Sequence, residues 1–137
     1  MKIKMLVFGG DSDANLGLLL LRVFVGAAMM THGIPKMFGG LDEFTGMVTK
    51  MNIPAPAAMA FMAALSESLG ALLLALGLAT RPAAALLSAN MVVAAFVALS
   101  GKPFAGRELA LMYLCAALLF LFKGAGKWSL DAILRRA

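Results

Sequence analysis

Apolar residues along this chain gather in four long, nearly unbroken blocks, without the strict alternation of a half-buried strand. The blocks cover residues 16–34 (LGLLLLRVFVGAAMMTHGI), 57–78 (AAMAFMAALSESLGALLLALGL), 83–100 (AAALLSANMVVAAFVALS) and 109–122 (LALMYLCAALLFLF), the last extending to 107 when its polar start is counted. A helix rising about 1.5 Å per residue needs roughly 20 residues to cross about 30 Å of hydrocarbon, so each block is close to one crossing. The pattern predicts an all-α integral membrane fold, a single domain over residues 1–137 built as an antiparallel bundle of four transmembrane helices.

Turn-forming residues fall between the blocks. Ile53-Pro54-Ala55-Pro56 precedes the second, Thr80-Arg81-Pro82 separates the second from the third, and Gly101-Lys102-Pro103 follows the third. The Thr80–Pro82 link is too short to cross a bilayer, so the helices it joins are antiparallel and the remaining sides alternate. Sorted that way, Lys2, Lys4, Arg81, Lys123, Lys127, Arg135 and Arg136 share one side, and Lys36, Lys50, Lys102 and Arg107 the other. The positive-inside rule then places both termini and the Arg81 turn in the cytoplasm. A cleaved leader is not expected, because Met1–Phe8 is followed by a polar Gly-Gly-Asp-Ser-Asp-Ala-Asn run and Arg22 interrupts the next apolar block. Between the first two spans, Phe38, Leu41, Phe44, Val48 and Met51 recur near helical spacing among Asp42, Glu43 and Lys50, predicting an amphipathic helix along the outer surface.

Composition agrees. The chain of 137 residues is 62% hydrophobic and only 14% charged, with a mean hydropathy of +0.92, whereas soluble domains run near 45–50% apolar and about 25% charged. The net charge of +5 is scattered among apolar segments, so it speaks for membrane orientation and against nucleic acid. Cys115 is the lone cysteine, which excludes an intrachain disulfide. One His and one Cys give no ligand pair at metal spacing, so neither metal nor haem is expected. The eleven Met residues read as flexible filler between helices. Gly26, Ala63, Gly70, Ala71 and Gly77 would let helices approach closely. No nucleophile elbow, phosphate loop, dinucleotide fingerprint or zinc motif is present.

The ionisable residues inside the apolar blocks carry more information, since a charge at the bilayer centre costs about 2.5–3.5 kcal/mol on insertion scales. Arg22 lies roughly 9 Å along the first span and Glu67 roughly 15 Å from either end of the second. A long arginine stem would bridge that gap, so Arg22 and Glu67 are the expected polar pair, with Ser66, Ser68 and Asn90 at similar depth to complete their hydrogen bonds. The competing reading has Arg22 snorkelling to headgroups and Glu67 protonated. A second cluster is expected near the outer face. His32 and Lys36 are four apart, Glu108 opens the last span, and Tyr113 follows about one turn further in; together they could hydrogen-bond and protonate an oxygen-bearing ligand. Gly33-Ile34-Pro35 is expected to end the first helix beside them.

The order of these residues resembles the DoxX family of small four-span bacterial and archaeal membrane proteins. Leu21-Arg22 with Gly26 is similar to the family's first-helix arginine and glycine, and His32-Gly33-Ile34-Pro35-Lys36 to its His-Gly and Lys pattern. Glu67, Gly70 and Gly77-Leu78-Ala79-Thr80-Arg81 resemble its second-helix glutamate and exit. Glu108 resembles the glutamate opening the last helix, and Gly124-Ala125-Gly126-Lys127-Trp128-Ser129-Leu130-Asp131 resembles the closing segment. The resemblance implies a protein of the bacterial or archaeal cytoplasmic membrane, associated with quinone-linked oxidoreductases or with defence against thiol-oxidative stress.

The functional expectation is a membrane subunit that binds a quinone or quinol through His32, Lys36, Glu67, Glu108 and Tyr113 and supports electron transfer by a partner oxidoreductase. The alternatives are a non-catalytic scaffold or assembly partner of another membrane or redox protein, and a small transporter or proton path through Glu67 and Asn90. A homodimer is compatible with the small-residue helix faces.

Overall fold

The computed structural model describes Val7 and residues 11–137, with side chains from residue 14. The expectations that rest on Lys2, Lys4 and the start of the chain lie outside them. Among the described residues the fold is all-helical, with α1 (Asp11–Met37), α2 (Leu41–Lys50), α3 (Pro56–Leu76), α4 (Thr80–Ala98), α5 (Phe104–Lys123) and α6 (Leu130–Arg136). Helices α1, α3, α4 and α5 are long and apolar enough to cross a membrane. Consecutive spans are spatial neighbours: α1 packs on α3, α3 on α4, and α4 on α5, while α2 folds back onto α3.

The span boundaries move by a few residues for local reasons. Proline needs no N–H in a first helical turn, so Pro56 opens α3 and Pro82 sits inside the first turn of α4. At the other end of α1 the expected stop at Gly33-Ile34-Pro35 does not occur. The helix runs through Pro35 to Met37, because a proline this close to the end removes only one internal hydrogen bond, and the carbonyls of Ile34 and Pro35 still accept from Phe38 and Gly40. The loop segment predicted as amphipathic is helical over Leu41–Lys50, and it turns Val48 inward against the bundle instead of lying free along its surface.

The interior is built from small residues and a few large ones. Ala60, Ala64, Ala71, Ala84, Ala95 and Ala117 have no accessible surface, and around them pack Met29, Leu74, Leu87 and Phe120. Leu20, Phe24, Phe96, Leu109, Met112 and Phe122 face outward, as a bilayer requires. Two glycines set the distance between α1 and α3. A Cβ on Gly26 would lie 2.6 Å from the Ala71 carbonyl oxygen and from the Ala75 Cβ, and one on Gly33 would overlap the Glu67 backbone. The two backbones therefore touch along a seam that no larger residue permits.

Arg22 is the largest fully buried side chain, and it does not meet Glu67. Its guanidinium donates to the carbonyls of Ala75 (3.2 Å), Ala125 (2.6 Å) and Trp128 (2.8 Å). The reason lies in helix geometry: a helical side chain leans toward its helix N-terminus, which carries the Arg22 stem away from the bundle centre. Ala75 lies eight residues beyond Glu67 on α3, a rise of about 12 Å. The carbonyls at the end of α3 and after α5 have no helical donor of their own, so the fork of Arg22 completes them while they screen its charge.

The same end is stitched further. Gly77 adopts a left-handed conformation (φ 68°) beneath Ser129 and Arg22, and a Cβ there would lie 2.6 Å from the Ser129 Cβ. Its carbonyl accepts from the Asp131 N–H at 2.8 Å. Asp131 in turn caps the start of α4 from another element, Oδ1 accepting from the Ala79 N–H (2.8 Å) and Oδ2 from the Thr80 N–H (2.9 Å). The Ser129 hydroxyl donates to the Gly126 carbonyl and accepts from the Ala132 N–H, capping α6 itself. Burial alone would raise the Asp131 pKa; contributions from the Thr80 hydroxyl and N–H, the Ala79 N–H and the Arg135 charge outweigh it and hold the carboxyl below its ordinary range.

Two predictions follow from this knot. Arg22→Leu leaves three buried carbonyls without a donor and should lower unfolding stability in detergent by roughly 3 kcal/mol, and Arg22→Lys should recover less than half, because one ammonium cannot reproduce the fork. A depressed folded-state pKa means that Asp131 contributes stability fully above its unfolded value of about 3.9 and loses it as pH falls through the lower folded value. Asp131→Asn should therefore cost about 1 kcal/mol at neutral pH and remove this component of acid destabilisation in thermal melts run from pH 7 downward.

Candidate functional site

The contact between Gly33 and the Glu67 backbone places a carboxylate of α3 directly beside α1. Glu67 lies in a single π-helical turn, Ser66–Gly70, in the middle of α3. Such a turn widens the helix by one residue and recurs at functional positions. The hydroxyls of Ser66 and Ser68 bond back to the carbonyls of Ala63 and Ala64, so neither serves Glu67. Glu67 is instead held by two other side chains. Lys36 Nζ donates to Oε2 at 2.6 Å and Asn90 Nδ2 donates to Oε1 at 2.8 Å.

Lys36 thus takes the place expected of Arg22. It stands three residues after Gly33, on the same side of α1, and its stem leans back toward the helix N-terminus and into the span. Asn90 confirms its expected depth, reaching Glu67 from α4. The Lys36 ammonium also sits 4.5 Å from the centre of the Phe44 ring of α2, a cation–π contact that covers one side of it.

The ion pair forms the polar wall of a chamber of about 470 Å3 between α2, α3 and α4. Its remaining walls are apolar, contributed by Phe44, Val48, Met62, Leu86, Val93 and Leu99. A volume of this order, apolar lining and a few convergent polar groups are the usual form of a small-molecule site. Lys36 has three donors and spends one on Glu67, leaving capacity for a ligand oxygen; Glu67 and the Asn90 carbonyl retain lone pairs. The arrangement can orient an oxygen-bearing apolar molecule and can give or take a proton at its edge.

The outer cluster expected from sequence divides. His32 and Tyr113 do meet, ring edge to face with centroids 6.4 Å apart and planes at 80°. His32 is exposed and Tyr113 half-buried, and neither lines the chamber. Glu108 is exposed and makes no hydrogen bond or ion pair among the described residues, so it joins neither His32 nor Lys36. Its place just past the first turn of α5 leaves it near the end of that span rather than in a shared site. No cluster of three His, Cys, Asp or Glu side chains suited to a metal is found among the described residues.

The apolar walls of the chamber were not legible as such in the sequence. Met62, Leu86, Val93 and Leu99 carry no mark that separates a cavity lining from a lipid-facing surface. Phe44 and Val48 did carry one: their spacing on the loop helix showed an apolar face needing a partner.

Comparison with known proteins agrees with this architecture. The DoxX family profile matches residues 17–100. A Haemophilus influenzae protein described as "Uncharacterized protein" is 39% identical over 121 residues, covering 83% of this chain and 87% of its own length. A Bacillus subtilis protein named "Putative oxidoreductase CatD" is 31% identical over 124 residues, covering 88% of this chain and 89% of its own. No solved structure matches. With the profile spanning more than half of the chain and relatives covering most of it, this four-span protein belongs to the DoxX family.

Proposed function

We propose that the chain is a membrane subunit of a quinone-linked oxidoreductase system and that a quinone ring lodges in the chamber beside Lys36, Glu67 and Asn90. The observation that carries this reading is a charged hydrogen-bonding wall at mid-span depth facing an otherwise apolar cavity. The name of the Bacillus subtilis relative supports an oxidoreductase setting. Of the ligand-binding set expected from sequence, His32, Lys36, Glu67, Glu108 and Tyr113, only Lys36 and Glu67 line the chamber, so the proposed site differs from the expected one.

A bound quinone would supply a two-electron, two-proton acceptor, with electrons delivered by a partner protein. The chain's own residues do the remainder. Lys36 would donate to a ring oxygen while its bond to Glu67 keeps it aimed. Glu67, fixed on its other oxygen by Asn90, would hold that ammonium against the ring oxygen as charge develops there. Met62, Leu86 and Val93 exclude water, which strengthens both interactions. In the bilayer the end carrying α6 and the Arg81 turn faces the cytoplasm, following its excess of Lys and Arg.

The test is equilibrium binding of a short-chain ubiquinone and a short-chain menaquinone to the purified protein in mild detergent. Glu67→Gln should weaken binding about tenfold or more, the value of one charge-assisted hydrogen bond. Breaking a buried pair also lowers stability, so Ala89→Phe, which fills the chamber without touching the pair, provides an independent probe and should abolish binding while the protein stays folded. His32→Ala should leave affinity within about twofold of wild type. A wild-type protein that binds neither quinone, or an Ala89→Phe variant that binds as wild type, would overturn the quinone reading, and loss of a co-purifying partner in that variant would favour the scaffold.

A further inference from the structure

The two ends of the bundle differ in charge. Among the described side chains, the end carrying α6 has Arg81, Lys123, Lys127, Arg135 and Arg136 against the single carboxylate of Asp131, whereas Lys50, Lys102 and Arg107 at the other end stand with Asp42, Glu43 and Glu108. Four of the five cations at the α6 end, Lys123, Lys127, Arg135 and Arg136, line one open groove of about 550 Å3. Lys123, Lys127 and Arg136 make no side-chain hydrogen bond or ion pair among the described residues, and Arg135 makes only a long one, 3.4 Å from Nε to the Asp131 carbonyl. Leu18 and Ala132 give the same groove an apolar wall.

Its depth is set by the helices around it. Lys123 is the last residue of α5 and Leu18 lies near the start of the α1 span, so the groove opens where hydrocarbon gives way to headgroups. Trp128, Leu130, Ile133 and Leu134 are all exposed beside it, an apolar fringe at the level where tryptophan prefers to sit.

We propose that this groove seats the phosphodiester headgroup of an anionic phospholipid of the surrounding leaflet, with the acyl chains in the bilayer beside α1. Cations clustered on one concave surface, three of them without a side-chain partner among the described residues, match a phosphate oxygen set. The wall of Leu18 and Ala132 favours a lipid over a soluble phosphate, which would meet the cations and leave the apolar side bare.

Trp128 is the chain's single tryptophan and reports on the groove directly. The protein is reconstituted in phosphatidylcholine vesicles containing increasing fractions of brominated phosphatidylglycerol or brominated phosphatidylcholine, and quenching of Trp128 gives their relative affinities. Phosphatidylglycerol should be preferred by about tenfold or more, each nearby cation contributing roughly fivefold. The triple variant Lys123→Gln/Lys127→Gln/Arg136→Gln should lower the preference at least about fivefold, and Lys50→Gln/Lys102→Gln at the other end should preserve it. Should the triple variant fail to fold, titration of wild type with sodium chloride reads the same term, and salt should erase the preference. Equal quenching by the two lipids, a preference that survives the triple substitution or high salt, or displacement of phosphatidylglycerol by inorganic phosphate would overturn the proposal.

Discussion

Hydrocarbon does not solvate charge, and the fold of this protein is organised by that constraint. Two ionised side chains of α1 lie within the bundle, and each is answered by a different element. Arg22 is met by three backbone carbonyls at the end of α3 and after α5; Lys36 is met by the Glu67 carboxylate and the Phe44 ring. The first solution uses only the main chain, whose dipoles cannot gain or lose a proton. The second uses a titratable partner beside a cavity. Identical physics thus produces a fastening to the main chain at one level of α1 and an ion pair beside a cavity about four turns away.

The fastening gives meaning to otherwise unremarkable segments. Gly77–Arg81 and Gly124–Asp131 are short, polar and far apart in the chain, yet they contact each other: Gly77 carries Asp131 on its carbonyl, and Asp131 caps the helix that begins at Thr80. The turn between α3 and α4, the tail after α5 and the buried arginine of α1 form one unit through these bonds. Main-chain groups leaving a helix in an apolar medium must find partners within the protein, and this unit supplies them for three helices together.

Much of the fold was legible because span length and apolar content are set by bilayer thickness, a property of single segments. The antiparallel order followed from a link too short to cross. What the sequence concealed was pairing between segments. Depth along each span suggested Arg22 for Glu67, but depth ignores the direction in which a helical side chain leans, and that direction turns Arg22 away and brings Lys36 in. Gly33 was the available clue: a residue without a side chain, one turn before Lys36, marks where the two backbones meet. Asn90 was found by depth alone because its short side chain reaches only what is level with it. The π turn at Ser66–Gly70 left no signature in its residue types, since it arises from how α3 fits between α1 and α4.

Gly26 and Gly33 bring α1 and α3 into direct backbone contact, so that side of the bundle has no room for a larger residue. The other walls of the chamber are α4 and α2, the latter a ten-residue piece bounded by residues with positive φ, Gly39 on one side and Asn52 and Ala55 on the other. The Phe44 ring that covers the Lys36 ammonium belongs to this piece, so how much of the polar wall is bare is fixed by where α2 rests on α3.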